Sequence, residues 1–100
     1  MPLVVYLPEA LDDLVRLREF LAEADLFVAN ETALLITEAV SILANHPLVG
    51  RPAGGIWREL IVSRGRTGYV ALYRYDEREE KVIVAAIRHQ REAGYDPDQR

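Results

Sequence analysis

The stretch Gly68-Tyr69-Val70-Ala71-Leu72-Tyr73-Arg74-Tyr75, followed by Val82-Ile83-Val84-Ala85-Ala86-Ile87-Arg88, decides the architecture. Both runs are rich in β-branched and aromatic residues, which suit a pleated, half-buried surface. They are joined by Asp76-Glu77-Arg78-Glu79-Glu80, a short polar link that antiparallel neighbours can share. A third run, about 57–63, precedes them across Ser63-Arg64-Gly65-Arg66-Thr67. The spacing predicts an antiparallel meander over about 57–63, 68–75 and 81–88.

Working outward, residues 3–7 read as a first strand ended by Pro8. Proline suits the first turn of a helix, and Glu9, Asp12 and Asp13 complement its positive end. Ala10, Leu14, Leu17 and Leu21 recur at helical spacing, with Leu11, Val15 and Phe20 widening the stripe. Asp12, Asp13, Arg16, Arg18, Glu19 and Glu23 form the wet side of this helix, about 8–23. Asp25 is the expected N-cap of a second helix with the stripe Ala29, Ala33, Ile36, Val40 and Leu43, flanked by Leu35, Ala39 and Ile42. Pro47 stops it, because the residue before proline disfavours helical angles. The tight connection near Ala24 makes the helices antiparallel neighbours. His46 to Ile56, with three glycines and two prolines, reads as a loop. The expected fold is α+β, a β-α-α-β-β-β chain with a helical hairpin on a four-stranded, mainly antiparallel sheet. One domain over 1–95 and a frayed polar tail at 96–100 account for the 100 residues.

Composition narrows the chemistry. Half the residues are apolar and 28% are charged, as in ordinary globular domains. With no cysteine, disulfides and thiolate metal sites are excluded, and a reducing, cytoplasmic setting is expected. The N-terminus lacks a basic signal-peptide region. No apolar run approaches the roughly 18–20 residues of a membrane span. Two histidines with forty-two residues between them predict no metal site, and no cofactor is expected. The net charge of −4 argues against nucleic acid as the main partner. Charge is uneven, however. Residues 1–50 hold two arginines against eight acidic residues, and residues 51–100 hold ten basic residues against eight acidic ones. Between Arg51 and Arg74 there are five arginines and only Glu59.

The strands lack the apolar/polar alternation of a sheet with one wet face. Strict alternation groups Tyr69, Ala71, Tyr73 and Tyr75 on one face, and Val70, Leu72 and Arg74 on the other. In the next strand it separates Ile83, Ala85 and Ile87 from Val82, Val84, Ala86 and Arg88. Both faces are mostly apolar, and two helices cover only one. The tyrosine face is expected under the helices. The other face, with Val70, Leu72, Arg74, Val84 and Arg88, is expected open and partner-binding. Covering ~400 Å² of it would be worth about 10 kcal/mol before association costs. Partner binding is the first expectation and a homodimer its main rival.

The short strand, the helical hairpin, His46-Pro47-x-x-Gly50-Arg51-Pro52, Arg58-Glu59-Leu60, Gly68-Tyr69-Val70-Ala71-Leu72-Tyr73-Arg74 and Ile87-Arg88-His89-Gln90-Arg91-Glu92 together resemble the RelE/ParE superfamily of toxins, over about 4 to 95. The resemblance implies a cognate antitoxin that wraps the toxin, and one of two activities. RelE-like members cleave messenger RNA on the ribosome, and ParE-like members poison DNA gyrase without nuclease chemistry. Metal-free RNA cleavage needs a base, cations facing the phosphate and an acid for the leaving oxygen. Where nuclease members place lysines on the second strand this chain has Ile61 and Ser63, and where they place an arginine after Gly68-Tyr69 it has Val70. Only Arg91 and Tyr95 match at the tail. These departures favour the ParE-like reading, with His89, Arg91 and Tyr95 facing the target. The alternative is a ribosome-dependent endoribonuclease using Arg58, Glu59, His89 and Arg91. Set beside these roles, Arg64, Arg66 and Arg78 read as solvated turn residues, and Trp57 as packing.

Overall fold

The computed structural model describes residues 1–64 and 67–90. The chain runs through β1 (Leu3–Tyr6), α1 (Pro8–Ala22), α2 (Leu26–Ser41), a 3-10 turn (Ile42–Ala44), β2 (Arg51–Pro52), β3 (Trp57–Arg64), β4 (Thr67–Asp76) and β5 (Lys81–His89). The sheet order is β1-β5-β4-β3-β2. β1 runs parallel to β5, and the other pairings are antiparallel. The sheet therefore has five strands where four were expected. The extra one is two residues long, Arg51 and Pro52 paired with Glu59 and Arg58, inside a segment whose glycines and prolines read as loop.

Local signals set the helix starts as expected. Pro8 stands at the start of α1. The Asp25 carboxylate accepts a hydrogen bond from the Val28 N–H at 3.2 Å, satisfying one of the donors orphaned at the start of α2. Arg18 Nε donates to Asn30 Oδ1 at 2.9 Å and ties the two helices together. The buried stripe of α1 is narrower than its apolar residues suggest. Ala10, Asp13 and Leu17 are buried, whereas Leu11, Val15 and Phe20 face solvent. In α2 the buried residues are Ala29, Thr32, Ile36 and Val40, and Ile42 just beyond it is exposed. The helical segment Leu26–Ala44 is long and apolar enough, by length and composition, to cross a membrane, a property that reading it for unbroken apolar runs missed because Glu31 and Glu38 interrupt it. Here Ile36, Val40 and Leu43 are spent on the core.

That core lies between the helices and one face of the sheet. It joins Ala10, Leu17, Ile36, Val40 and Leu43 to Val62, Tyr69, Ala71, Tyr73, Val82, Val84 and Ile87, with Val4, Tyr6, Leu60 and Tyr75 packed against it. The tyrosine face is thus the helix-covered one, as expected. The phase of β5 is not. Tyr73 pairs with Val84 but Leu72 pairs with Ala86, so Ala85 is an extra residue opposite β4. This β-bulge changes the phase of the strand midway. Val82 and Val84 before it and Ile87 after it all point at the helices, which strict alternation forbids. Val84, expected on the open face, is fully buried in the core for this reason.

Candidate functional site: the outer sheet face and its borders

Opposite residues in a ladder share a face, so the register defines the surface turned away from the helices. Ile61 stands opposite Val70, Glu59 opposite Leu72, and Trp57 opposite Arg74. On the other side of β4, Val70 faces Arg88, Leu72 faces Ala86 and Arg74 faces Ile83. Of the five residues expected here, Val70, Leu72, Arg74 and Arg88 belong to this face by register. Val70 is itself buried, and Leu72, Arg74 and Arg88 are half-buried. The large, greasy open sheet inferred from composition is correspondingly smaller. Among the described residues, the exposed large apolar side chains on strands are Leu3 and Ile61. The rest lie on the helices (Leu11, Val15, Phe20, Leu26, Phe27, Leu34), just after them (Ile42), in the loop that follows (Leu48, Val49, Ile56) or at Met1.

Two polar clusters border the face. At the β2 end, Arg58 Nη1 donates to the carbonyls of Leu48 at 3.1 Å and Gly50 at 2.7 Å. The Gly50 N–H donates to the Tyr73 hydroxyl at 2.9 Å. A side chain at Gly50 would come within 2.6 Å of the Tyr73 ring and 2.8 Å of the Glu59 carbonyl, so the loop can only lie this close with glycine there. Burial pushes the Tyr73 phenol up, against the lowering effects of the Gly50 hydrogen bond and the Arg58 charge. Arg51 Nε lies 3.6 Å from the buried Glu59 carboxylate. The cationic zone seen in the sequence is in part a scaffold for this loop.

At the β1 end the anchor is Asp13, which was expected on the wet side of α1 and is 5% exposed. Its Oδ2 accepts from the Ile87 N–H at 3.0 Å and from the Arg88 guanidinium, and its Oδ1 accepts from Arg16 at 3.1 Å. β1 pairs along β5 only as far as Val84, with the Leu7 N–H completing the run on the Val84 carbonyl. Beyond that point the bulge leaves the Ile87 N–H facing α1, and the Asp13 carboxylate takes it. Arg88, expected on the open, partner-binding face, has its guanidinium held within the chain by Asp13. The overlooked signal was spacing: Asp13 stands three residues after Ala10 and four before Leu17, within the buried stripe.

Among the described residues, the members of the alternative nuclease set, Arg58, Glu59 and His89, are not brought together. Glu59 is on the outer face, opposite Leu72. His89 stands opposite Tyr69 on the helix side, with the two rings in T-shaped contact at 5.2 Å. Arg58 is committed to loop carbonyls. Arg91, Tyr95 and the tail lie outside the described residues. Arg74 Nη1 approaches Asp76 Oδ2 at 3.8 Å. Among the described residues, no three His, Cys, Asp or Glu side chains group so as to hold a metal ion.

With this geometry in hand, comparison with known proteins places the chain. The family described as ParE toxin of type II toxin-antitoxin system, parDE, matches residues 4–94. The chain belongs to the ParE toxin family. It is 38% identical over 82 residues to Toxin RelE3 of Caulobacter vibrioides, covering 82% of this chain and 87% of that protein. Its fold matches a solved chain of the chromosomal ParDE TA system from P. aeruginosa with a TM-score of 0.76, over 89% of this chain and 96% of that one, at 19% identity. The chain is thus a type II toxin of the ParE/RelE superfamily, and such a toxin is paired with a cognate antitoxin.

Proposed function

We propose that this ParE-family toxin acts in the cytoplasm by binding DNA gyrase and inhibiting it through protein–protein contact, until its antitoxin covers it. The observation that carries this reading is the Ile61–Val70 pair at the centre of the outer face. RelE-type cleavage needs cations at those positions to stabilise the charge developing on the phosphate. Two apolar side chains cannot supply it. The separation of Glu59 from His89 by the sheet supports the same conclusion. The target-facing segment is His89 to Tyr95, which in sequence begins at the last residue of β5 and has mixed cationic and aromatic character. Leu72 and Arg74, with Ile61 and Ile83 beside them, are the outer-face residues offered to the antitoxin. A homodimer when free, or a hetero-oligomer with the antitoxin, is the assembly this reading expects.

The test is gyrase supercoiling in the presence of purified toxin. Inhibition that is relieved by adding antitoxin is expected; unchanged supercoiling at stoichiometric excess overturns the reading. The name of the Caulobacter relative, Toxin RelE3, is the observation that favours a second reading, ribosome-dependent cleavage of messenger RNA. Transcript cleavage in a translation reaction, lost in Arg91→Ala, would establish it instead.

A further inference from the structure

The Asp13 cluster has no role in the function proposed above, yet it joins α1 to the last residues of β5 before the target-facing segment begins. We propose that Asp13 is a positioning residue: by holding the Ile87 N–H and the Arg88 guanidinium it fixes the bulged phase of β5, and so the direction in which the chain leaves the sheet toward its target. The proposal rests on the reading that residues from His89 onward meet the target.

Three observations carry it. The bulge at Ala85 is a point where the ladder can slip by one residue, and a slip would exchange the faces of every residue after it. Tyr73 is already fully buried against Val84, so the register before the bulge is fixed by packing. After the bulge, β1 no longer covers β5 on its outer side, and the helix supplies the missing bond through a carboxylate 74 residues away in sequence. A charge-assisted bond from a buried carboxylate to a backbone amide is stronger than a neutral one. On the β4 side the exit is held as well, since the Gln90 N–H donates to the Gly68 carbonyl at 3.0 Å and its side chain lies over Gly68. The two bonds grip the strand from opposite edges, at Ile87 and at Gln90. Only the one at Ile87 comes from a helix.

The experiment is growth arrest on expression without antitoxin, compared at equal levels of folded soluble protein for Asp13→Leu, Asp13→Asn and, as a control, Asp12→Leu at the exposed neighbour. Asp13→Leu is expected to weaken arrest by about tenfold or more, the scale of one lost charged hydrogen bond. Asp13→Asn retains a carboxamide oxygen for the Ile87 amide and is expected to stay within about threefold of the parent chain. Full arrest by Asp13→Leu, or equal loss in both variants, overturns the proposal. A second measurement needs no variant. Amide exchange in the parent toxin should find Ile87 among the slowest amides of β5; exchange at the rate of an open loop overturns the proposal even if Asp13→Leu does not fold. Arrest is read without reference to the target, so a failed gyrase assay and a failed latch give separate results.

Discussion

β4 and β5 lie side by side in the same sheet and are about equally apolar, yet they are built by different rules. β4 keeps strict alternation from Tyr69 to Tyr75 and needs nothing beyond its side chains to choose a face. β5 contains one residue too many, and its second half points where it does because Asp13 holds it there. A strand with four aromatic or small residues facing the core sets its own register. A strand of Val, Ile and Ala on both faces is nearly indifferent to a one-residue shift, so a polar contact from another element can decide it. The apolar surplus of β5 thus reflects a change of phase, and it left the outer face less greasy than composition alone suggested.

The sharpest way to break this contrast is at Val84. It is fully buried beside Tyr73, whereas its neighbour Ile83 is half-buried on the outer face opposite Arg74. Val84→Lys is expected to cost about 3–4 kcal/mol, because the ammonium has no partner in the core. Ile83→Lys should cost under about 1.5 kcal/mol, since a lysine can run its stem along the sheet and keep its charge in water. Urea unfolding of the two variants measures the difference. Equal costs would mean that the first half of β5 does not turn Val84 to the helices and Ile83 away from them.

The same contrast explains what could be read from the sequence. Pro8 and Asp25 act within a turn of where they stand, so the helix starts were legible, whereas α2 gives way to a 3-10 turn at Ile42, ahead of the Pro47 expected to stop it. The meander was legible because its links are short, and the tyrosine face because its alternation is unbroken. The bulge was not, since alternating Val and Ile carry no mark of an inserted residue. Asp13 was not read as buried, because its partner is a backbone amide that the bulge exposes, and a backbone amide has no signature in sequence. β2 was missed because two residues leave no period to detect. At the candidate site, the departures at Ile61 and Val70 were visible at once. The separation of Glu59 from His89 needed the register.

A smaller effect is expected where β4 closes onto the loop. Tyr73→Phe keeps the ring in the core and leaves the Gly50 N–H without its acceptor, at a cost of about 1–2 kcal/mol. The change also has a pH signature. Burial raises the Tyr73 phenol in the folded chain above its ordinary value of 10.0. The stability linked to keeping it protonated is therefore complete below the unfolded value and is lost as pH rises toward and through the raised one. The parent chain should lose stability more steeply than Tyr73→Phe above about pH 10. Tyr6, also raised by burial, keeps a residual slope in the variant. Denaturant midpoints across the alkaline range test both the cost and the slope; identical slopes would remove Tyr73 from the alkaline transition.

The hairpin between the two strands should respond least, and in the opposite direction. Glu80 adopts a φ of +52°, a left-handed conformation in which a side chain crowds the backbone. It is held there from both sides: its N–H donates to the Glu77 carbonyl at 3.3 Å, and its carbonyl accepts from the Leu3 N–H at 2.9 Å, where β1 begins to pair with β5. Glycine would keep both bonds and relieve the crowding, while giving the unfolded chain more freedom to lose. The net expectation for Glu80→Gly is a gain of about 0.5–1 kcal/mol, read as a raised melting temperature. A gain would show that the start of β5 is limited by local strain, while its far end depends on Asp13. A loss would mean that the Glu80 side chain contributes more than its conformation costs, and the two halves of β5 would then differ less than their geometry suggests.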